Sequence, residues 1–328
     1  MNIPSLRSLA CAFPLILSAA VAHATPAITT GTINTPDGKL YYEAHGRGPA
    51  LILVAGGPGS SRVSLMPEFD EMASDHTVIY FDNIGRGRSS ALAAGRKHSP
   101  ERDAEDIENL RRGLKLDKID LLGHSYGGFP ALAYAGRYAQ HLRHLVISSS
   151  GHSAAAWQRN IDNINHFVEN QYPEVWQQLS ALRNKGVSTC SAEYEAAYSV
   201  PVDQLYWYDQ SKAAARKPVS NDPVDNDSST VYCDMIGSDA EMTVGGSMAH
   251  FDARPKLASV TVPTLITAGR YDPVMPPVVA FETGKAFPAG VAQVHIYEHS
   301  AHRPWVEEAD AYFVALHRFL NSSLNSSH

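Results

Sequence analysis

Ile119-Asp120-Leu121-Leu122-Gly123-His124-Ser125-Tyr126-Gly127-Gly128 decides how the chain reads. An apolar run, Ile119 to Leu122, leads into it, and the small-residue segment Ala131-Leu132-Ala133-Tyr134-Ala135 follows. The order is strand, sharp turn, helix. Gly123-x-Ser125-x-Gly127 is the pattern of a nucleophile elbow, a strained turn that lifts a serine hydroxyl above the end of a sheet. Glycines flank the serine because a Cβ there would clash with a neighbouring strand or helix. The turn also aims the amide of Tyr126 at the place where an oxyanion would form.

Working outward, Ala50-Leu51-Ile52-Leu53-Val54 and Thr77-Val78-Ile79-Tyr80-Phe81 are continuous apolar runs, as expected of strands buried on both faces. The stretch 27–42 alternates β-formers around Thr35-Pro36-Asp37-Gly38 and predicts a hairpin. Ile107, Leu110 and Leu114, at spacings of three and four, predict an amphipathic helix over 100–114 with a proline at its start. Further strands are predicted at 145–148, 262–267 and 293–297, and helices at 278–287 and 309–320. Strands alternating with helices give an α/β protein with a mostly parallel sheet covered on both faces.

The rhythm breaks at about Ser150. Residues 151–250 hold helical patches rich in aromatics (Trp157, Phe167, Tyr172, Trp176, Tyr206, Trp207, Tyr208) and a polar loop, Pro218 to Thr230. They are expected to form a helical cap inserted into a core made of 25–150 and 251–328. The tail from Asn321 is rich in Ser and Asn.

The chain has 328 residues, is 44% hydrophobic and 19% charged, and carries a formal charge of -7. With no long basic run, nucleic-acid binding has no electrostatic support. After residue 24 no stretch is long and apolar enough to span a membrane. The N-terminus has Arg7, then an apolar segment, Leu9 to Val21, then Ala22-His23-Ala24. This predicts a secretory signal peptide, residues 1–24, cut after Ala24, and hence export to a periplasm or the cell exterior. The alternative, a membrane anchor, is disfavoured by the short apolar core. Losing Arg7 takes the formal charge from -7 to -8. Cleavage also leaves two cysteines, Cys190 and Cys233, and an even pair in an exported protein predicts one disulfide. Asn226, Asn321 and Asn325 head Asn-x-Ser sequons, which matter only in a eukaryotic secretory pathway.

A serine hydroxyl needs a base within hydrogen-bond reach, and the base needs an acid to orient it. Asp272, in Gly269-Arg270-Tyr271-Asp272-Pro273, follows one predicted strand, and His302, in His299-Ser300-Ala301-His302, follows the next. They are the expected acid and base. His299 lies nearer the strand end and reads as a turn residue. The oxyanion donors expected are the amides of Tyr126 and of Gly57, in Gly56-Gly57-Pro58-Gly59. Asp82, in Asp82-Asn83-Ile84-Gly85-Arg86-Gly87-Arg88-Ser89, is read as fixing the glycine turn after it.

Together these five segments, spread over roughly residues 50–305, resemble the α/β-hydrolase-fold serine hydrolases of the proline iminopeptidase (prolyl aminopeptidase) family. Four positions depart from the family pattern: Ala55 in place of His, Asn83-Ile84 in place of Gln-Arg, and His124 in place of Gly. They bear on the substrate more than on the hydrolase class. The resemblance implies an eight-stranded sheet with a cap, a Ser-His-Asp triad that needs no metal or organic cofactor, and release of N-terminal proline or another small residue from short peptides. Such a substrate presents an α-ammonium, which a shielded cap carboxylate would hold. Glu193, Glu195, Asp209, Asp234 and Glu241 are the candidates, and the sequence does not choose among them. The rival readings are an esterase, lactonase or amidase for a small non-peptide substrate, and a catalytically silent binding protein on the same fold. The oligomeric state is not legible.

Overall fold

The computed structural model describes residues 28–322. The segment read as a signal peptide and the sequon at Asn325 lie outside them. Eight strands form one sheet in the order β1-β2-β4-β3-β5-β6-β7-β8. They are β1 (Ile28–Thr35), β2 (Gly38–Gly46), β3 (Ala50–Val54), β4 (Thr77–Phe81), β5 (Ile119–His124), β6 (Leu142–Ser148), β7 (Thr264–Gly269) and β8 (Ala292–Tyr297). β1 and β2 are the expected hairpin, and β2 runs antiparallel to β4. All other neighbours are parallel.

The apolar runs are explained by burial on two sides. Successive side chains of a strand point to opposite faces. On β3, Ile52 and Val54 join one core with Ile107, Leu110, Phe129 and Leu132. Leu51 and Leu53 join a second core with Phe69, Trp305, Tyr312 and Phe313. The first core is built by α1 (Pro100–Gly113) and α2 (Gly128–Tyr138). The Ser99 hydroxyl caps α1 by accepting from the Arg102 amide, with Pro100 in the first turn where no amide hydrogen is needed.

Between β6 and β7 the described chain is helical. It contains α3 (Ala154–Gln171), α4 (Pro173–Asn184), α5 (Ala192–Asp203), α6 (Gln210–Ala215), α7 (Ser229–Ile236) and α8 (Arg254–Leu257). The remaining helices are α9 (Pro277–Lys285), α10 (Pro304–Glu307) and α11 (Ala309–Leu320). Cys190 and Cys233 are joined by a disulfide that ties the start of α5 to α7. The polar loop before α7 is fixed to the sheet side by Asp225, whose carboxylate accepts from Arg62 Nη1 at 2.7 Å. No helix among the described residues is long and apolar enough to cross a membrane.

Candidate active site

Ser125 stands between β5 and α2 with φ of 52°, a left-handed backbone that serine adopts only where the surroundings enforce it. The surroundings are backbone. A Cβ at Gly123 would strike the Gly127 carbonyl, and one at Gly127 would strike the Val54 carbonyl. The Ser125 carbonyl is held from below by Ser150, whose hydroxyl donates to it at 2.5 Å.

Asp272 follows β7 and His302 follows β8, as the sequence order requires. His302 Nδ1 and Asp272 Oδ2 are 2.8 Å apart, and both side chains are fully buried. Asp272 Oδ1 accepts from the amides of Val274 and Met275, each at 2.9 Å, so the carboxylate cannot turn away. This leaves His302 Nε2 buried with no hydrogen-bond partner, in the wall of the same cavity as Ser125. No Ser125–His302 hydrogen bond is formed, and such bonds are often loose until substrate arrives. The His302 amide donates to the Tyr206 carbonyl at 3.2 Å, and the Tyr206 ring meets the imidazole edge-on at 5.0 Å. The helical insertion thus reaches the histidine directly. His299 is exposed and lines no part of this cavity.

Gly57 has φ of +64° and lies in the cavity wall with Gly56, Pro58 and Gly59. That loop is gripped from both sides. A Cβ at Gly59 would strike the Ser228 backbone ahead of α7, and the Ser228 amide donates to the Gly59 carbonyl at 3.0 Å. Arg86 Nε donates to the Pro58 carbonyl at 2.5 Å. The same guanidinium pairs with Asp103, which also accepts from the Tyr126 hydroxyl at 2.6 Å. One buried network therefore holds both stretches expected to supply oxyanion donors. Arg86 was not singled out by sequence, although its place in the Gly85-Arg86-Gly87 turn offered a signal. Asp82 sits where that turn begins, and Oδ2 accepts from the Arg88 amide at 2.9 Å.

His124, one of the family departures, packs beneath this loop. Its ring lies 4.3 Å from that of Trp305 and 4.9 Å from that of His302. Burial, reinforced by His302 and Arg303, pushes its pKa well below the ordinary value, so it is a neutral imidazole. Nε2 then donates to the His302 carbonyl at 3.3 Å.

The cavity has a volume of about 720 Å³. Trp157, Ile161, Ile164, Val202 and Val274 give it an apolar wall. Of the aromatics noted in sequence, Trp157, Tyr206 and Trp207 line it, while Phe167, Tyr172, Trp176 and Tyr208 do not. Of the five acidic candidates, Glu195 and Glu241 line it. Glu193 is exposed on α5, Asp209 caps α6 through the Ser211 amide, and Asp234 accepts from the His98 amide. Burial pushes the Glu241 carboxyl up to about 7, against the pull of the Tyr232 and Tyr198 hydroxyls, and the negative charge of Glu195 adds to the rise.

A family model described as the alpha/beta hydrolase fold matches residues 49–309. A proline iminopeptidase of Heyndrickxia coagulans is 28% identical over 309 residues, covering 90% of this chain and 99% of that protein. One of Saccharolobus solfataricus is 30% identical over 298 residues, covering 88% and 91%. Among solved structures, a proline iminopeptidase of Mycobacterium smegmatis superposes with a TM-score of 0.68 at 21% identity, covering 89% of this chain and 97% of that one; this likeness speaks for the fold. The extent of these matches, on the eight-stranded sheet described above, makes the protein a hydrolase. The chain belongs to the α/β-hydrolase fold family and, within it, to the proline iminopeptidase family.

Proposed function

We propose that the protein is an exported serine aminopeptidase that releases N-terminal proline, or another small residue, from short peptides. The observation that carries this reading is Glu241, a carboxylate in the wall of the cavity that also holds Ser125 and His302. An ester has no use for an acid there, whereas an α-ammonium does. An arriving cation stabilises the carboxylate form, so a group poised near 7 loses its proton as the amine binds. Glu195, in the same wall, adds a second negative charge, and the apolar wall suits a pyrrolidine ring.

The chemistry follows from the geometry. Ser125 Oγ attacks the carbonyl carbon of the first residue while His302 Nε2 takes the hydroxyl proton. Asp272 holds the imidazole by Nδ1 and stabilises the imidazolium. Negative charge gathers on the carbonyl oxygen, to which the amides of Gly57 and Tyr126 donate. His302 hands the proton to the leaving nitrogen, the C–N bond breaks, and the shortened peptide departs. Water, deprotonated by His302, then attacks the acyl-serine and frees the amino acid. The disulfide between Cys190 and Cys233 supports an oxidising compartment and so the exported location. Hydrolysis of proline β-naphthylamide beside its N-acetylated form tests the reading; cleavage of both at equal rates would remove any part for the amine.

A further inference from the structure

Buried arginines in this protein come with carboxylates. Among the described residues, Arg62 meets Glu43, Asp82 and Asp225; Arg86 meets Asp103; Arg102 meets Asp37 and Asp106; Arg111 meets Glu108. Arg303, half-buried, has no such partner. Its Nε and Nη1 are buried and make no hydrogen bond, and no carboxylate among the described residues forms an ion pair with it. Its guanidinium lies over the Trp207 ring, whose centroid is 5.4 Å from Cζ. Burial and the positive charge of Arg216 lower its pKa from the ordinary arginine value, opposed by Tyr206, Glu68 and Asp227. Glu68 is itself engaged by Arg216 at 2.8 Å. Guanidinium nitrogens buried without partners are costly unless a ligand completes them.

Arg303 lines the same cavity as Ser125, and so does Lys217, an exposed lysine that forms no ion pair among the described residues. Arg303 directly follows His302, the group that must protonate the leaving nitrogen. Glu241 is surrounded by Tyr232, Tyr198 and Glu195, with no arginine acting on it; the acids of the cavity wall that Arg303 does feel, Asp203 and Asp227, form no ion pair with it. Tyr206, also in the cavity wall, is acted on by both Arg303 and Glu241.

We propose that Arg303, assisted by Lys217, is a carboxylate-binding site on the leaving-group side of the cavity, making the preferred substrate a peptide with an anion one or two residues beyond the scissile bond. The proposal rests on the aminopeptidase reading and refines its substrate class. The anion is either the C-terminal carboxylate of a di- or tripeptide or an acidic side chain. Arginine suits either, because its planar fork binds both carboxylate oxygens. With an ammonium site at one end and a carboxylate site at the other, the cavity measures peptide length by charge.

The test compares kcat/KM for Pro-Ala against Pro-Ala-NH2, and Pro-Glu-NH2 against Pro-Gln-NH2, in the wild type, Arg303→Gln and Arg303→Lys. Each ratio is internal to one protein, so it does not depend on how much total activity a variant keeps. A charged hydrogen-bonded contact of this kind predicts a preference for the acid of roughly tenfold or more in the wild type. It should fall to near one in Arg303→Gln and persist in part in Arg303→Lys. Preference in the first pair assigns the site to the peptide terminus, and in the second to an acidic side chain. Should Arg303→Gln fail to fold, the wild-type and Arg303→Lys ratios decide. Equal rates within both pairs, or a preference untouched by Arg303→Gln, overturns the carboxylate site while proline β-naphthylamide hydrolysis leaves the aminopeptidase reading standing. If no proline substrate turns over at all, both fall together.

Discussion

Arg86 and Asp103 form a bidentate pair, 2.8 Å on each arm, with both side chains buried. Through the Pro58 carbonyl on one side and the Tyr126 hydroxyl on the other, the pair spans the two stretches that carry Gly57 and the Tyr126 amide. Removing one partner of a buried pair leaves the other charge uncompensated, at a cost of about 3–5 kcal/mol. Asp103→Ala should therefore lower the thermal unfolding midpoint. Among folded variants, Arg86→Lys should lower kcat more than it raises KM, since oxyanion donors act chiefly in the transition state. An Arg86→Lys enzyme with unchanged kcat would show that the pair serves stability alone.

The Asp272–His302 contact predicts a separate loss. Asp272→Asn keeps the shape but presents an amide to Nδ1, which favours the wrong imidazole tautomer. In a triad such a change lowers kcat on the order of ten-thousand-fold. Ser125→Ala should abolish labelling by a fluorophosphonate. Steady-state kinetics at saturating substrate separates loss of chemistry from loss of binding, and KM is expected to change little.

Glu241 makes the pH dependence specific to the amine. Its carboxyl is raised to about 7 in the folded protein, so the carboxylate is present above that pH and lost as pH falls through it. For a free-amine substrate, KM should fall as pH rises through about 7. For p-nitrophenyl acetate, which has no ammonium, no such step is expected. Glu241→Gln should remove the step and raise KM for the amine substrate on the order of tenfold or more, the value of a charge-assisted contact. The same shift has a stability consequence with its own sign. A raised carboxyl binds its proton more tightly folded than unfolded, so stability relative to Glu241→Gln should fall as pH rises from the ordinary carboxylate range to about 7.

The disulfide closes a loop with a sequence separation of 43, for which chain entropy predicts a contribution of roughly 4 kcal/mol. Reduction should lower the unfolding midpoint. Because Cys190 and Cys233 both border the cavity, it should impair the amine substrate more than the ester. Calorimetry and paired assays with and without reductant measure both effects.

What was legible in the sequence follows from how local each signal is. The elbow could be read because its glycines answer to backbone a few residues away or to the adjacent strand, and the strands could be read because burial on two faces demands unbroken apolar runs. The order of Ser125, Asp272 and His302 is carried by strand succession. The acids were different. Glu193, Glu195 and Glu241 are alike in sequence, and what separates them is that tertiary packing puts Glu195 and Glu241 in the cavity wall and leaves Glu193 outside it. Glu241 owes its raised carboxyl to burial and to Glu195, against the Tyr232 and Tyr198 hydroxyls, and none of these partners is a neighbour in a periodic pattern. Arg303 was passed over for a related reason: an arginine beside a histidine looks like surface until the fold buries its Nε and Nη1 without a hydrogen-bond partner.

The central claim is that a free α-amine is required for hydrolysis at Ser125. The most direct measurement is the rate on proline β-naphthylamide beside N-acetylproline β-naphthylamide and p-nitrophenyl acetate, in the wild type and in Ser125→Ala. Strong cleavage of the free-amine substrate over its acetylated form, lost in Ser125→Ala, is the predicted result. Cleavage of the ester alone, also lost in Ser125→Ala, would contradict it, leaving the serine chemistry in place and removing the amine from the account.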